Sequence, residues 1–432
     1  MTTDPRELLT TLFRAAVSAA DPERATRQAV AELGEIGSPV WIIAIGKGAH
    51  RMAAGAVQAL GQRGSTLADG LVIANADDPS AGHGLSSCLG DHPTPGANSF
   101  LAAQRLADLA SHTTADGDAI VLISGGTTSL IASPIDGLGH VDLTVAFDAL
   151  LASGADITLM NGIRKRLLRF GAGRLALALG TRRIHCLMAS DVIGNDLPSI
   201  GSGPCVPDAS SAVDVRRRAK NAGVWASLPE PVRSVLDDIA DGRMPDVPAA
   251  DHPRFGTTTA QVVLDRTDAE RGAAAGAEQH GLPVTVRQKP LEGEAAIAGR
   301  RFASELLASR DKGSRCTIWT GETTVTLGDS AAPGGRCQEF ALAAAIGLDE
   351  AGSKAGGLTI LAAGTDGRDG PTDAAGAIVD ATTCSRIRER GMDPAEALRS
   401  HDSFAALDKA GALLRTGPTG TNVNDLVLGL VP

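Results

Sequence analysis

The chain has 432 residues, with 40 Lys and Arg against 50 Asp and Glu and a formal net charge of -10. That balance disfavours nucleic acid or an anionic membrane as a partner, and 3% aromatic residues with no tyrosine argue against a stacking platform for single strands. The length exceeds what one core usually serves, so two α/β domains are expected.

Residues 6–33 carry Leu8, Leu9, Leu12, Phe13 and Val17 at the spacing of one buried helix face. The opening reads as a charged amphipathic helix and not a signal peptide. No apolar run approaches the ~20 residues that span a bilayer, so a cytoplasmic protein is expected. Six cysteines (Cys88, Cys186, Cys205, Cys316, Cys337 and Cys384) are scattered without a CxxC pair. Neither a zinc knuckle nor a disulfide framework is suggested.

A strand, 40–45, leads at once into Gly46-Lys47-Gly48 and a helical run, 49–60. A lysine between glycines at a strand-to-helix turn can reach across a helix N-terminus, where anions bind. The spacing is neither a Walker loop nor a dinucleotide fingerprint. A second strand, 71–75, precedes the rigid loop Asp91-His92-Pro93-Thr94-Pro95, whose histidine reads as structural. A third strand, 119–123, opens into Ser124-Gly125-Gly126-Thr127-Thr128-Ser129, the best phosphate cradle in the chain. Its glycines let backbone N–H groups approach an anion, and its hydroxyls add donors.

The basic cluster Arg164-Lys165-Arg166 lies on or near a helix expected to run through Arg174. A fourth strand, 185–189, ends in Ser190-Asp191 and a long polar loop carrying Asn195 and Asp196, placed where α/β sheets keep their functional edge. Residues 227–256, rich in Pro, Asp and Ala, mark a domain boundary.

In the second half, strands are expected at 261–265 and 284–286, and as a short pair around Gly321-Glu322-Thr323 in 316–327. The glycine turn ending in Arg336 presents a guanidinium at a helix start, suited to grip a carboxylate or a phosphoryl group. An apolar run, 358–363, switches abruptly to a loop with Asp366, Asp369 and Asp373, expected at the C-terminal edge of a parallel sheet. Carboxylates there could hold a metal ion or orient a hydroxyl. The glycine- and threonine-rich stretch 416–425 reads as a binding loop.

Taken together, SGGTTSLIASP, NGIRKRLLRFGAGRLA, SDVIGNDLPSIGSGPCVPD, LEGEA, GETTVTL, GGRCQEFALA, AAGTDGRDGPTDAAGA and TGPTGTNVNDL closely resemble the glycerate 2-kinase family of the MOFRL type, nearly end to end and in the family's order. Some of its members carry an old label of hydroxypyruvate reductase. The resemblance implies two α/β domains: 1–240, Rossmann-like with a mainly parallel sheet flanked by helices, and 255–432, smaller and MOFRL-type. It implies an active site in the cleft between them and transfer from ATP, with a divalent metal, to the 2-hydroxyl of D-glycerate. Lys47 and Arg336 match the family's charge-stabilising residues. The inventory then gives Lys47, Arg336 and Asp191 as catalytic. Ser124, Gly125, Gly126, Thr127, Thr128, Ser129, Lys165 and Asn195 are expected to bind nucleotide. Asp191 and Asp366 are expected to hold Mg²⁺, and either could instead accept the hydroxyl proton. A homodimer is left open. The family usually has a third glycine at Thr127, a serine at Leu168 and an asparagine at Cys337. These departures leave open a longer sugar acid as acceptor; an NAD(P)H-dependent hydroxypyruvate reductase is the remote alternative, since the dinucleotide fingerprint is missing.

Overall fold

The computed structural model describes residues 4–78, 82–327 and 332–432; residues 1–3, where the expected first domain begins, lie outside them. The chain divides into two compact units, Pro22–Val263 and Met1–Asp21 with Leu264–Pro432.

The Pro22–Val263 unit is built on six strands: β1 Val40–Ile45, β2 Leu67–Ala74, β3 Ser86–Leu89, β4 Asp118–Ile123, β5 Arg183–Ala189 and β6 Thr258–Leu264. Their order is β3-β2-β1-β4-β5-β6. β3 through β5 in that order pair in parallel. β1 and β4 are buried along their whole length, as both-face coverage demands, so they read as unbroken apolar runs and not as alternation. Val40 pairs with Asp118 and Ile45 with Ile123, so the two strands end level. Ile43, Ile45, Val121 and Ile123 share a core with Ala102 and Leu106 of the helix Ala97–Ser111. The chain winds outward from β1 to β2 and β3, then crosses to the other side of β1 to lay down β4 and β5. The winding reverses between β1 and β4, and open α/β sheets form a crevice at the carboxyl ends of the strands at such a point.

The other unit carries β7 Val284–Val286, β8 Arg315–Gly321, β9 Thr359–Gly364, β10 Gly376–Asp380, β11 Leu413–Leu414 and β12 Asp425–Val431, in the order β11-β10-β9-β12-β8-β7. Only β7 and β8 pair in parallel; the other neighbours are antiparallel. The Asp-rich loop therefore follows a strand lying between antiparallel partners, not the parallel edge expected. Residues 365–375, which join β9 to β10, contain no helix, whereas a parallel return needs a crossover of a dozen or more residues. Phe302, Trp319 and Phe340 meet at ring-centroid distances of 5.9 to 6.5 Å in this unit's core.

Three local expectations change. Residues 6–33 form two helices, Pro5–Ala19 and Pro22–Glu32, because the residue before a proline is pushed out of the α region. The first helix packs within the C-terminal unit: a Cβ on Gly272 would lie 2.5 Å from the Ala15 carbonyl oxygen. The helix carrying Lys165 stops at Leu167, and Arg174 opens a separate short helix. Of the pair of strands expected in 316–327 only β8 forms; Thr324 makes an isolated bridge to Glu294.

Candidate active site

Two glycine-bearing turns leave β1 and β4 side by side at the winding reversal. The Lys47 N–H donates to the Gly125 carbonyl at 2.9 Å, and the Gly48 N–H donates to Ser124 Oγ at 3.0 Å. The approach depends on Gly46, whose φ is +128° and whose Cβ, if present, would lie 2.1 Å from Ser124 Oγ. Any side chain there would push the turns apart. Lys47 is half-buried, and Gly126, with φ +88°, stands next to it: a Cβ on Gly126 would sit 3.6 Å from Lys47 Cγ and 3.0 Å from the His92 ring.

The hydroxyl cluster is engaged in joining this site together. Thr127 is fully buried and its Oγ1 donates to the carbonyls of Ile45 (2.9 Å) and Ser124 (2.8 Å). Ser129 Oγ donates to the Pro93 carbonyl at 2.5 Å, binding the His92 loop to the cradle. Thr128 Oγ1 and Ser202 Oγ share a hydrogen bond of 2.8 Å that ties in the loop after β5. Ser202 was not foreseen, because only tertiary packing brings position 202 to position 128. Asp191 and Asn195 lie in that loop, both half-exposed, and Asn195 has φ +54°. Lys165 is buried, and its ammonium is ion-paired with Asp208; an anion at Lys165 would compete with that carboxylate.

In the other unit, the carboxyl ends of β8 and β9 and the start of β12 share one sheet edge, since Asp425 pairs with both Gly321 and Gly364. Arg336 opens the helix Arg336–Glu350 at this edge. Its Nε and Nη2 donate to Asp425 at 2.6 and 3.0 Å, and its Nη1 reaches Glu322 at 2.7 Å. Burial alone would lower the affinity of the guanidinium for its proton, but Asp425 and then Glu322 outweigh it and hold the proton more firmly than usual. Asp369 is buried and accepts the N–H groups of Cys337 (3.1 Å) and Gln338 (2.8 Å). Burial and the nearby Asp425 push its carboxyl up to about 7, against the pull of those two N–H groups. Burial, with Asp425 and Asp369 nearby, also raises the Cys337 thiol. Asp366, half-buried, accepts the Arg368 N–H at 3.0 Å, and its carbonyl accepts the Thr419 N–H at 3.2 Å. The Thr416–Asp425 stretch thus lies on the Asp366 loop, and Thr365 Oγ1 completes the seam by donating to the Asn424 carbonyl at 2.6 Å. Asp373 is exposed and paired with Arg415. Among the described residues, no three His, Cys, Asp or Glu side chains gather as a metal cluster.

Residues 8–237 match a domain of unknown function, DUF4147, and residues 315–425 match the MOFRL family. A glycerate 2-kinase of Pyrococcus horikoshii is 33% identical over 99% of this chain and 98% of its own. The chain belongs to the glycerate 2-kinase family. The crystal structure of a glycerate kinase from Thermotoga maritima superposes with a TM-score of 0.83 at 32% identity, covering 99% of each chain. A protein of Agrobacterium vitis provisionally named a hydroxypyruvate reductase is 35% identical over 98% of this chain and 93% of its own. Among the described residues no helix is long and apolar enough to cross a membrane.

Proposed function

We propose that this glycerate 2-kinase family member transfers the γ-phosphoryl group of ATP to the 2-hydroxyl of D-glycerate. The observation that carries the reading is the hydrogen-bonded pairing of the Lys47 turn with the Ser124–Ser129 loop at the switch between β1 and β4. Phosphoryl transfer asks a protein mainly for alignment and for charge that meets the transferring group. Lys47 supplies a cation beside the cradle, and Gly125 and Gly126 let backbone come close to phosphate oxygens. In this proposal Ser124, Thr127, Thr128 and Ser129 hold the cradle's shape, Asn195 is an outlying nucleotide contact, and Lys165 becomes one only where an incoming phosphate displaces Asp208. Arg336 supplies the second cation.

Asp191 and Asp366 fit a magnesium ion in chemistry: each is a carboxylate in a polar loop at a strand end, and Mg²⁺ takes one or two carboxylates and completes its shell with phosphate oxygens and water. Bound there, the ion would neutralise phosphate charge. Whichever of the two carboxylates is not so engaged accepts the proton of the substrate hydroxyl. We retain two functional domains, 1–240 and 255–432 by sequence, with the helix Pro5–Ala19 counted to the second and β6 to the first as the compact units divide them, and the cytoplasm as the setting; six free cysteines suit a reducing compartment.

The test is ADP release across a panel of hydroxy acids, run beside hydroxypyruvate with NADH. D-glycerate is expected to support the fastest turnover. A longer sugar acid turning over faster would move the acceptor assignment. NADH oxidation without ADP release would replace the kinase reading with the reductase one.

A further inference from the structure

The guanidinium of Arg336 is held on two edges by carboxylates of opposite character. Asp425 takes the Nε–Nη2 edge and is 2% exposed; Glu322 takes Nη1 and is 45% exposed. Asp425 is the first residue of β12, with its backbone fixed between Gly321 of β8 and Gly364 of β9. Removing a buried partner of this kind strands a charge away from water, so the Asp425 contact is not readily given up. Glu322 is different. An exposed carboxylate gains little from an ion pair that water can replace, and Asn424 Nδ2 stands 3.5 Å from Glu322 Oε2 at the same edge. The outward part of Arg336 thus carries a carboxylate where an incoming oxyanion would make the same charge-assisted hydrogen bond.

We propose that Nη1 of Arg336 is an oxyanion-binding position, that Asp425 is the positioning residue that aims it, and that Glu322 occupies it until a phosphoryl or carboxylate oxyanion displaces it. The choice between those two oxyanions rests on the kinase reading; the displacement does not. In this arrangement Glu322 is an internal competitor, and it sets ligand affinity by how readily it leaves.

The experiment compares full-length wild type, Glu322→Gln and Asp425→Asn by calorimetric titration with a non-hydrolysable ATP analogue and, separately, with D-glycerate. Glu322→Gln removes the competing charge and is expected to tighten one of the two probes on the order of tenfold, leaving the other within about twofold. The tightened probe identifies the oxyanion as phosphoryl or carboxylate. Asp425→Asn is expected to weaken that same probe and to lower kcat on the order of a hundredfold. A purely structural Glu322 would change the melting temperature without tightening either probe. Unchanged or weakened binding of both probes in Glu322→Gln overturns the proposal. If Asp425→Asn does not fold, the Glu322 arm decides alone. Failure of the kinase reading is separately visible as wild type that releases no ADP with any acceptor, and the titrations need no turnover.

Discussion

The switch-point site and the Arg336 site both lie at strand ends, yet they are built from opposite materials. The first is made of glycines and hydroxyls whose hydrogen bonds bring two turns together, with the half-buried Lys47 as its cation. The second is a dense charge cluster in which Asp425 and Glu322 hold the Arg336 guanidinium and burial beside Asp425 raises the Asp369 carboxyl. Backbone approach needs room and is lost when a Cβ appears; an aimed guanidinium needs rigid counter-charges and is lost when its fork changes shape. The two regions should therefore fail in different ways.

The comparison is sharpest at Lys47. Lys47→Ala is expected to lower kcat/KM with D-glycerate by roughly 10²- to 10³-fold, while thermal unfolding stays near wild type, since a half-buried turn lysine contributes little to stability. Turnover close to wild type in a folded variant would end its catalytic role. Arg336→Lys should cost somewhat less, roughly a hundredfold in kcat, because charge remains while the fork that spans Asp425 and Glu322 is gone. Dissociation of the probe that Glu322→Gln tightens should become faster, and that of the other should change little. A raised KM for the hydroxy acid with normal kcat would instead make Arg336 a holder of substrate carboxylate.

Gly126→Val tests the first region's dependence on space. Its φ of +88° and the His92 ring 3.0 Å from a would-be Cβ both resist a branched side chain. ATP affinity should fall by roughly tenfold or more, with acceptor affinity less affected; the reverse pattern in calorimetry would put the nucleotide elsewhere. The smallest effect is a pH signature confined to the second region. Asp369 has its folded carboxyl pushed up to about 7 from an ordinary value of 3.8. Its protonated form therefore favours the fold, fully below about pH 4, and that contribution is lost as pH rises through about 7. Denaturant stability should decline across this window in wild type and decline less in Asp369→Asn, whose amide keeps an acceptor for one of the two N–H groups. Equal slopes would mean that Asp369 stays charged throughout.

Elements whose burial is local and complete were legible in the sequence. β1 and β4 are legible because strands covered on both faces have no polar positions, and the glycines flanking Lys47 mark a turn that only a residue without Cβ can make at φ +128°. The sequence also marked Arg336, the Asp366 loop and the Thr416–Asp425 stretch as polar segments at element ends. Tertiary structure decided what those segments touch. The hydroxyls of Ser124 to Ser129 read as phosphate donors, and in the fold Thr127, Ser129 and Thr128 bond to Ile45, Pro93 and Ser202, all distant in sequence. Lys165 reads as a solvent or nucleotide cation and is buried against Asp208. Asp425 looked like the end of a loop and is the buried anchor of a guanidinium 89 residues away. The first helix joined the C-terminal unit because its apolar face, plain in the sequence, does not name its partner. Periodicity and turn chemistry are short-range properties of the chain, whereas hydrogen-bond partners, buried charges and strand direction arise when distant segments meet, so only the folded molecule could supply them.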